Sequence, residues 1–242
     1  YLYNSSAGKL ETKFLTPHLF ERLGCPDIKH TICAATMTAA WQQVFGNMLS
    51  ADPLDVVHSR LVVVWGANPG ITGTHFLQLV NRARDSGAQL VVIDPRRTTA
   101  AARAHLHLAV RPGTDVVLAY ALARWLAHNN GVDTEFVQKN ASGVEEFLAA
   151  ANEWTIERAS AVCGVSGDDI VRLGELITSI RPAMLRVGWG MERNRNGGSA
   201  HIAAHAVWVL AGHFGARGSG VLGSTSSALQ AQTQVPWPAG VE

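Results

Sequence analysis

Residues able to contact a nucleotide follow two short apolar runs, at positions 61–65 and 90–93. Gly66 ends the first run and Asp94 ends the second. A glycine lets the backbone turn sharply and approach a ligand closely, and a helix after such a turn offers unpaired N–H groups to a phosphate. A carboxylate at the tip of the next strand can accept hydrogen bonds from ribose hydroxyls or purine N–H groups. This pattern indicates a nucleotide-binding crevice.

The spacing after the first run differs from the Gly-x-Gly-x-x-Gly pattern of dinucleotide-binding loops. Asn68 stands two residues after Gly66, and Pro69 removes one N–H donor. An ordinary NAD site is therefore disfavoured. Strand–turn–helix units of this kind also occur with no ligand, so a purely structural role stays open.

Alternating strands and helices would position these turns. The expected strands are 61–65, 90–93, 106–110 and 183–187, and the expected helices are 34–48, 74–85, 116–128, 133–139, 144–152, 155–162, 166–180 and 199–214. This order predicts an α/β fold, in which a mostly parallel, doubly wound sheet is covered by helices on both faces. The turns at 66, 94, 112–115 and 188–193 should then line one edge.

Composition narrows the class of protein. The 242 residues are 47% hydrophobic and 16% charged, which is typical of a folded chain, and the net charge of +1 gives no basic surface for nucleic acid. Three irregularly spaced cysteines favour neither a disulfide framework nor a four-ligand metal site. No apolar run approaches the ~20 residues of a membrane span. Any targeting signal would lie outside this sequence, so a periplasmic and a cytoplasmic location in a prokaryote both stay open.

Four motifs, taken in order, resemble the molybdopterin oxidoreductase family of the dimethyl sulfoxide reductase type. They are Trp-Gly-x-Asn-Pro at 65–69, Ile-Asp-Pro-Arg-Arg-Thr at 93–98, Arg-Pro-Gly-Thr-Asp at 111–115 and Leu-Ala-Gly-His-Phe-Gly-Ala-Arg-Gly-Ser-Gly at 210–220. The resemblance implies a bis-molybdopterin guanine dinucleotide cofactor with molybdenum or tungsten. It covers nearly the whole chain but corresponds to an interior portion of a catalytic subunit, so the sequence looks like a fragment.

The resemblance also implies roles for individual residues. Asp115 is expected to accept the N1–H and amino donors of guanine, a pairing that a carboxylate can supply. The implied cofactor-binding residues are Trp65, Gly66, Ala67, Asn68, Pro69, His75, Asp94, Arg96, Thr98, Gly113, Thr114, Asp115, Trp189, Gly190 and Arg193.

Cys33 falls where this family places the protein ligand to molybdenum, which makes it the implied catalytic and metal-binding residue. A soft thiolate suits a metal already held by dithiolene sulfurs. The alternative is a buried small apolar residue. Cys25 and Cys163 have no such context and are expected to be structural. His201, His205 and His213 of the last helix are expected to be hydrogen-bonded core or interface residues rather than metal ligands.

The implied activity is two-electron redox chemistry or oxygen-atom transfer on a small substrate, in which the cofactor carries the reaction and the protein binds and orients it. Formate dehydrogenases of the family carry His and Arg where Ala34 and Ile202 stand here, which disfavours formate oxidation. A cysteine ligand also disfavours dimethyl sulfoxide or trimethylamine oxide reduction, because those relatives use serine. Nitrate, polysulfide and thiosulfate remain possible substrates.

The resemblance implies three parts. Residues 1–32 would be a partial segment of an adjoining α/β domain, 33–214 the guanine-dinucleotide-binding domain, and 215–242 an incomplete return segment.

Expected partners are a small-molecule substrate, the rest of the catalytic subunit and an iron–sulfur electron-transfer subunit of anaerobic respiration. A 4Fe-4S cluster is expected only in the missing N-terminal region or in partner subunits. A non-catalytic relative, such as the large iron–sulfur subunit of respiratory complex I, and a plain nucleotide-binding domain are the alternatives.

Overall fold

The computed structural model describes residues 15–26, 34–48 and 50–223. Within these ranges, five strands form one fully parallel sheet in the order β3-β2-β1-β4-β5. The strands are β1 (Leu61–Trp65), β2 (Gln89–Ile93), β3 (Leu106–Leu108), β4 (Ala183–Val187) and β5 (Gly220–Leu222). The α-helices are α1 (Thr16–Arg22), α2 (Ala35–Phe45), α3 (Pro69–Thr72), α4 (Thr74–Asp85), α5 (Asp115–His128), α6 (Thr134–Asn140), α7 (Val144–Ala151), α8 (Ile156–Cys163), α9 (Gly167–Ser179) and α10 (Gly197–Leu210).

The central strand β1 is buried along its whole length, and each of its five residues is at most 1% exposed. It pairs with β2 on one side and β4 on the other, so that Val63 lies between Val91 and Leu185. Continuous apolar runs suit these strands because a parallel sheet covered on both faces has no solvent-facing side. The expected α/β fold is confirmed.

Helices cover both faces of the sheet. Val63 and Trp65 of β1 belong to the larger core cluster, which also contains buried residues of α2, α5, α9 and α10. Val62 and Val64 point the other way and pack in a second cluster with Val80 of α4. Because side chains alternate along a strand, the two faces of the sheet pack in two separate hydrophobic cores.

Several elements differ from the sequence-based expectation: α1 and α3 were not predicted, the helix expected over 34–48 spans 35–45, and the strand expected over 106–110 ends at 108. The last helix was expected to reach position 214 but ends at Leu210, because Gly212 adopts a left-handed conformation (φ +66°) beside Asp133, the N-cap residue of α6. A Cβ at Gly212 would lie 2.5 Å from Oδ2 of Asp133. Strand β5 was not predicted; Gly220, Val221 and Leu222 become a strand by pairing with β4.

No helix in the described ranges combines the length and the apolar character needed to cross a bilayer.

His201, His205 and His213 are buried as expected, each at most 1% exposed, but the expected hydrogen-bond partners are found in the described structure only for His213. His213 Nε2 lies 2.8 Å from the carbonyl oxygen of Ile177. Neither ring nitrogen of His201 or His205 has a hydrogen-bond partner in the described structure. Burial lowers the pKa of His201 to about 4, and burial with the neighbouring His201 lowers the pKa of His205 to about 3.

These pKa values predict that acid destabilises the protein. The unfolded chain binds a proton at each histidine near pH 6.5, whereas the folded chain does not until about pH 4 or below. Stability is therefore lost as the pH falls below about 6.5, by about 2 kcal/mol for each buried histidine at pH 5. The free energy of unfolding, measured with urea, should decrease from pH 7.5 to pH 5. In His205→Phe this decrease should be smaller by about 2 kcal/mol.

An exposed histidine provides the control for this measurement. His128→Gln, in the last turn of α5, should keep the wild-type loss between the two pH values. An identical loss in wild type and His205→Phe would contradict the assignment of the acid sensitivity to this buried ring.

Candidate functional site

The carboxyl ends of β1, β2, β3 and β4 meet at one edge of the sheet and enclose a crevice of about 210 Å³. The crevice lies beside the β1–β4 pair, where the strand order reverses and where open α/β sheets bind their ligands. It is lined by Gly66, Asn68, Asp94, Pro95, Arg96, Val110, Pro112, Asp115, Gly190, Met191 and Asn194. The prediction that the four turns share one edge is confirmed.

Close backbone contact joins the turn after β1 to the turn after β4. The N–H of Gly188 donates to Trp65 O at 2.8 Å, and the N–H of Gly190 donates to Gly66 O at 2.9 Å. Gly66 itself has a positive φ of 62°. A Cβ at Gly188 would overlap Gly66 O and lie 2.5 Å from the Cβ of Ala67. The glycines are needed because the two backbones leave no room for side chains.

Asp115 is the first residue of α5 and presents a carboxylate at the crevice. Its Oδ1 accepts a hydrogen bond of 2.8 Å from Nε1 of Trp65, which is itself 1% exposed. Burial raises the pKa of Asp115; the Trp65 N–H and the residue's own backbone N–H oppose this shift, and the charge of Asp94 adds to it. The position at the start of a helix also favours a negative charge. Asp115 is therefore an oriented acceptor whose carboxylate has further lone pairs for a ligand.

Asp94 provides a second carboxylate on the same wall of the crevice. The residue is 7% exposed, and its Oδ1 accepts from the backbone N–H of Arg96 at 2.8 Å. Its backbone oxygen lies 2.9 Å from Nε2 of His107 on β3. This local turn, typical of Asp, fixes the direction of the chain after β2 and leaves the exposed Arg96 at the rim.

Asn68 contributes an acceptor that the described protein leaves unused. Its Oδ1 is buried and has no hydrogen-bond partner in the part of the chain that the structure describes. Buried polar atoms are normally paired, because an unpaired one has lost its hydration without compensation. A donor on a ligand in the crevice would supply the missing partner.

Several predicted site residues do not line the crevice. Thr98 Oγ1 accepts from the N–H of Ala101 at 3.2 Å, and Thr114 Oγ1 donates to Arg111 O at 2.7 Å, so both hydroxyls stabilise local turns. The predicted residues absent from the crevice wall are Trp65, Ala67, Pro69, His75, Thr98, Gly113, Thr114, Trp189 and Arg193. Their contact with a cofactor stays a prediction.

Five crevice residues were not among the predicted cofactor-binding residues: Pro95, Val110, Pro112, Met191 and Asn194. Each lies within or next to a predicted turn, and this position was the available signal. Asn194 lies against Gly113, where a Cβ would be 3.4 Å from Asn194 Oδ1, and Asn196 Nδ2 donates to Gly113 O at 2.9 Å. The turns after β3 and β4 are thus joined to each other.

Cys33, the predicted metal ligand, lies outside the described residues. The helix that follows it, α2, is tied to the crevice, since the N–H of Met37 donates to Oε2 of Glu192 at 2.9 Å. No group of three or more His, Cys, Asp or Glu side chains within 15–26, 34–48 and 50–223 is arranged to hold a metal. Cys25 is exposed and Cys163 is buried, and burial raises the pKa of the Cys163 thiol.

Comparisons of the sequence with known proteins find related proteins. A family model described as molybdopterin oxidoreductase matches residues 6–235. The probable oxidoreductase YoaE of Bacillus subtilis is 28% identical over 233 residues, which are 96% of this chain and 34% of that protein. The dimethyl sulfoxide reductase DmsA of Escherichia coli is 34% identical over 190 residues, which are 69% of this chain and 23% of that protein.

A solved structure shows the same fold. Acetylene hydratase from Pelobacter acetylenicus superposes with a TM-score of 0.72 at 22% identity, over 87% of this chain and 29% of that one. The chain therefore spans about a third or less of the length of these relatives.

Proposed function

Because the chain belongs to the molybdopterin oxidoreductase family, we propose that its crevice binds the guanine dinucleotide end of a molybdopterin cofactor in a larger catalytic subunit. One observation carries the proposal: the Asp115 carboxylate, the Asp94 carboxylate and the unpartnered Asn68 oxygen line the same crevice. These acceptors match the donors of a guanosine, which are N1–H, the amino group and the ribose hydroxyls.

Each part of the nucleotide has matching groups in the crevice. Asp115 would accept the N1–H and amino donors of guanine, since Trp65 fixes its carboxylate through Oδ1. Asp94 would accept from the ribose. The turn at Gly66 would let phosphate approach the backbone, and the exposed Arg96 at the rim would balance its charge. The residues that line the crevice therefore fit a guanine dinucleotide.

The redox chemistry would come from the metal and its pterin, and this chain would bind and orient them. Cys33 is the proposed protein ligand to molybdenum or tungsten, because it stands where the resemblance places this ligand in the family. In the sequence it is two residues before α2, whose first turn is bonded to Glu192 of the crevice turn. The proposed reaction is two-electron oxidation or reduction, or oxygen-atom transfer, on a small substrate. The rest of the catalytic subunit and an iron–sulfur electron-transfer subunit are the proposed partners.

The test measures the metal and cofactor content of the full-length protein, purified without oxygen from cells supplied with molybdate and tungstate. Mass spectrometry should detect molybdenum or tungsten, fluorescence should detect the oxidised pterin, and acid hydrolysis should release GMP. The amounts of metal, pterin and GMP should each stand in a fixed ratio to the protein. Pterin without GMP would contradict the guanine dinucleotide. A protein with neither metal nor pterin would contradict the proposed function and favour a non-catalytic relative.

Asn68 gives a second test of the same crevice. In Asn68→Ala, the stability of the cofactor-free protein should not fall, because the Oδ1 atom has no partner to lose. Cofactor retention should fall about threefold to tenfold, as expected for one hydrogen bond. Retention of the cofactor is measured by the rate at which the protein loses its bound GMP content during dialysis. Gln138→Ala, an exposed amide on α6, is the control; equal retention in both variants would remove Asn68 from the site.

A further inference from the structure

A second cleft lies at the edge of the sheet opposite the crevice. It has a volume of about 470 Å³ and is lined by Gly87, Gln89, His105, Leu106, Arg172 and Leu176. Gln89 is the first residue of β2 and Leu106 is the first residue of β3, so the cleft lies at the amino ends of these strands. The five residues of β2, about 16 Å of extended chain, separate it from the crevice at the carboxyl ends. The cleft is therefore a separate site.

Helix α9 provides one wall of the cleft. Arg172 and Leu176 are four positions apart in this helix, which places them on the same face. The Arg172 side chain is 59% exposed, and its Nη1 donates to Oε2 of Glu175 at 3.2 Å. An ion pair this exposed contributes little to stability, so an anionic ligand can compete with Glu175 for the guanidinium. Leu176 belongs to the larger core cluster and Leu106 packs against it, which makes part of the wall apolar.

His105 contributes a hydrogen-bond donor with a fixed orientation. Its Nδ1 accepts from the backbone N–H of Leu90 at 2.9 Å. A ring nitrogen that accepts carries no proton, so the neutral imidazole carries its proton on Nε2. Nε2 has no hydrogen-bond partner among the described residues, and His105 is exposed. Its Nε2–H group is therefore available to a ligand in the cleft.

The hydrogen-bonding groups of the cleft differ from those of the crevice. The crevice presents the carboxylates of Asp94 and Asp115, whereas the cleft presents the N–H donors of Arg172, His105 and Gln89. Within the described ranges, no Asp or Glu belongs to the cleft wall. A guanidinium has five donors and no acceptor. The cleft therefore suits a negatively charged ligand that is rich in acceptors.

We propose that this cleft binds a small organic anion whose carboxylate or phosphate group contacts Arg172 and His105. Guanidinium donors match the geometry of both acid groups. The cleft is larger than the crevice, and Leu106 and Leu176 give it apolar surface, so it has room for a carbon skeleton beside the acid group. This site goes beyond the proposed function, because none of its residues lines the cofactor crevice.

The experiment is isothermal titration calorimetry of the full-length protein at low ionic strength with three probes: phenyl phosphate, benzoate and inorganic phosphate. The tighter of the first two probes identifies the acid group that the cleft prefers. Inorganic phosphate should bind about fivefold more weakly than phenyl phosphate, because it buries no apolar surface. Added salt should weaken the binding of every probe, since the charges in the cleft are exposed to solvent.

Two substitutions assign the binding to this cleft. Arg172→Gln should weaken the binding of the better probe about tenfold or more, because a hydrogen bond to a charged group is lost. In His105→Asn, the amide oxygen can replace Nδ1 as acceptor for Leu90, but no donor remains at the position of Nε2. This variant should weaken binding about threefold to tenfold, as expected for one neutral hydrogen bond.

A matched arginine provides the control. Arg158 on α8 is 53% exposed and also pairs with a glutamate, Glu153, so Arg158→Gln should bind each probe with wild-type affinity. The exposed position of Arg172 leaves Arg172→Gln folded, and its metal and GMP contents should equal those of wild type. Failure of the anion site and failure of the cofactor proposal are therefore measured separately.

Three results would overturn the anion site. The first is no saturable binding of phenyl phosphate or benzoate up to about 10 mM. The second is equal affinity in Arg172→Gln and Arg158→Gln, which would place the bound probe elsewhere, including in the crevice. The third is binding of inorganic phosphate as tight as that of phenyl phosphate, which would exclude the apolar wall from the site.

Discussion

Asp115→Asn is expected to cause the largest loss of cofactor among the single substitutions that preserve the fold. The amide oxygen of asparagine can still accept from Trp65 Nε1, which Asp115 Oδ1 does at 2.8 Å, but its NH₂ group would face the donors of guanine. A hydrogen bond to a charged group is worth about 1.5–3 kcal/mol, so affinity should fall roughly 10- to 150-fold. Molybdenum and GMP contents after extended dialysis of the full-length protein measure this loss.

A matched aspartate provides the control for Asp115→Asn. Asp168 lies in the first turn of α9, is exposed and is absent from the crevice wall, so Asp168→Asn should retain the wild-type metal and GMP. If Asp115→Asn kept its GMP as long as Asp168→Asn does, the carboxylate would not be the guanine acceptor.

Gly188→Ala is expected to destabilise the protein strongly and to disrupt the crevice. The new methyl group would overlap Gly66 O and lie 2.6 Å from the Cα of Ala67. These are backbone atoms at the tip of β1, so no side chain can rotate away. Forcing the methyl group in should cost on the order of 3 kcal/mol, which corresponds to a melting temperature about 6–12 °C lower in a domain of this size. Thermal unfolding followed by circular dichroism measures the change.

Gly198→Ala separates this steric effect from the general effect of replacing a glycine. Gly198 lies in α10, and its nearest neighbour for an added Cβ is Thr36 Cγ2 at 3.5 Å, an ordinary contact. Alanine favours a helix over glycine by up to about 1 kcal/mol, so this variant should melt at or above the wild-type temperature. A Gly188→Ala variant that melts with wild type would show that the turns after β1 and β4 can separate without cost.

The pairing of Trp65 with Asp115 gives a physical reason for the tryptophan at the end of β1. The indole ring is buried beneath α5, and its N–H needs an acceptor. Asp115 supplies this acceptor, and the tryptophan in turn holds the carboxylate in one orientation. Sequence analysis placed both residues at the cofactor site but could not relate them to each other, since they lie 50 positions apart.

Local sequence determined the central sheet and several helix starts. The Val-rich runs of β1 and β2 have few alternatives to a doubly buried strand, because their apolar side chains point to both faces. Ser166 marks the start of α9 by accepting from the N–H of Asp169 at 3.1 Å, three residues later. The turns after the strands were predictable for the same reason: glycine, proline and aspartate favour particular backbone angles wherever they occur.

Tertiary contacts decided the features that local preference leaves open. Gly220–Leu222 has no periodicity of its own; it is a strand because β4 offers a free edge and because Arg186 Nη1 donates to Leu222 O at 3.3 Å and Gly223 O at 2.6 Å. Helix α2 finds its acceptor in Glu192, and Asp115 finds its donor in Trp65. These partners are distant in sequence, so only folding reveals them. The residue types that could bind a nucleotide were thus readable in advance, whereas their orientation toward one crevice depends on contacts that exist only in the folded chain.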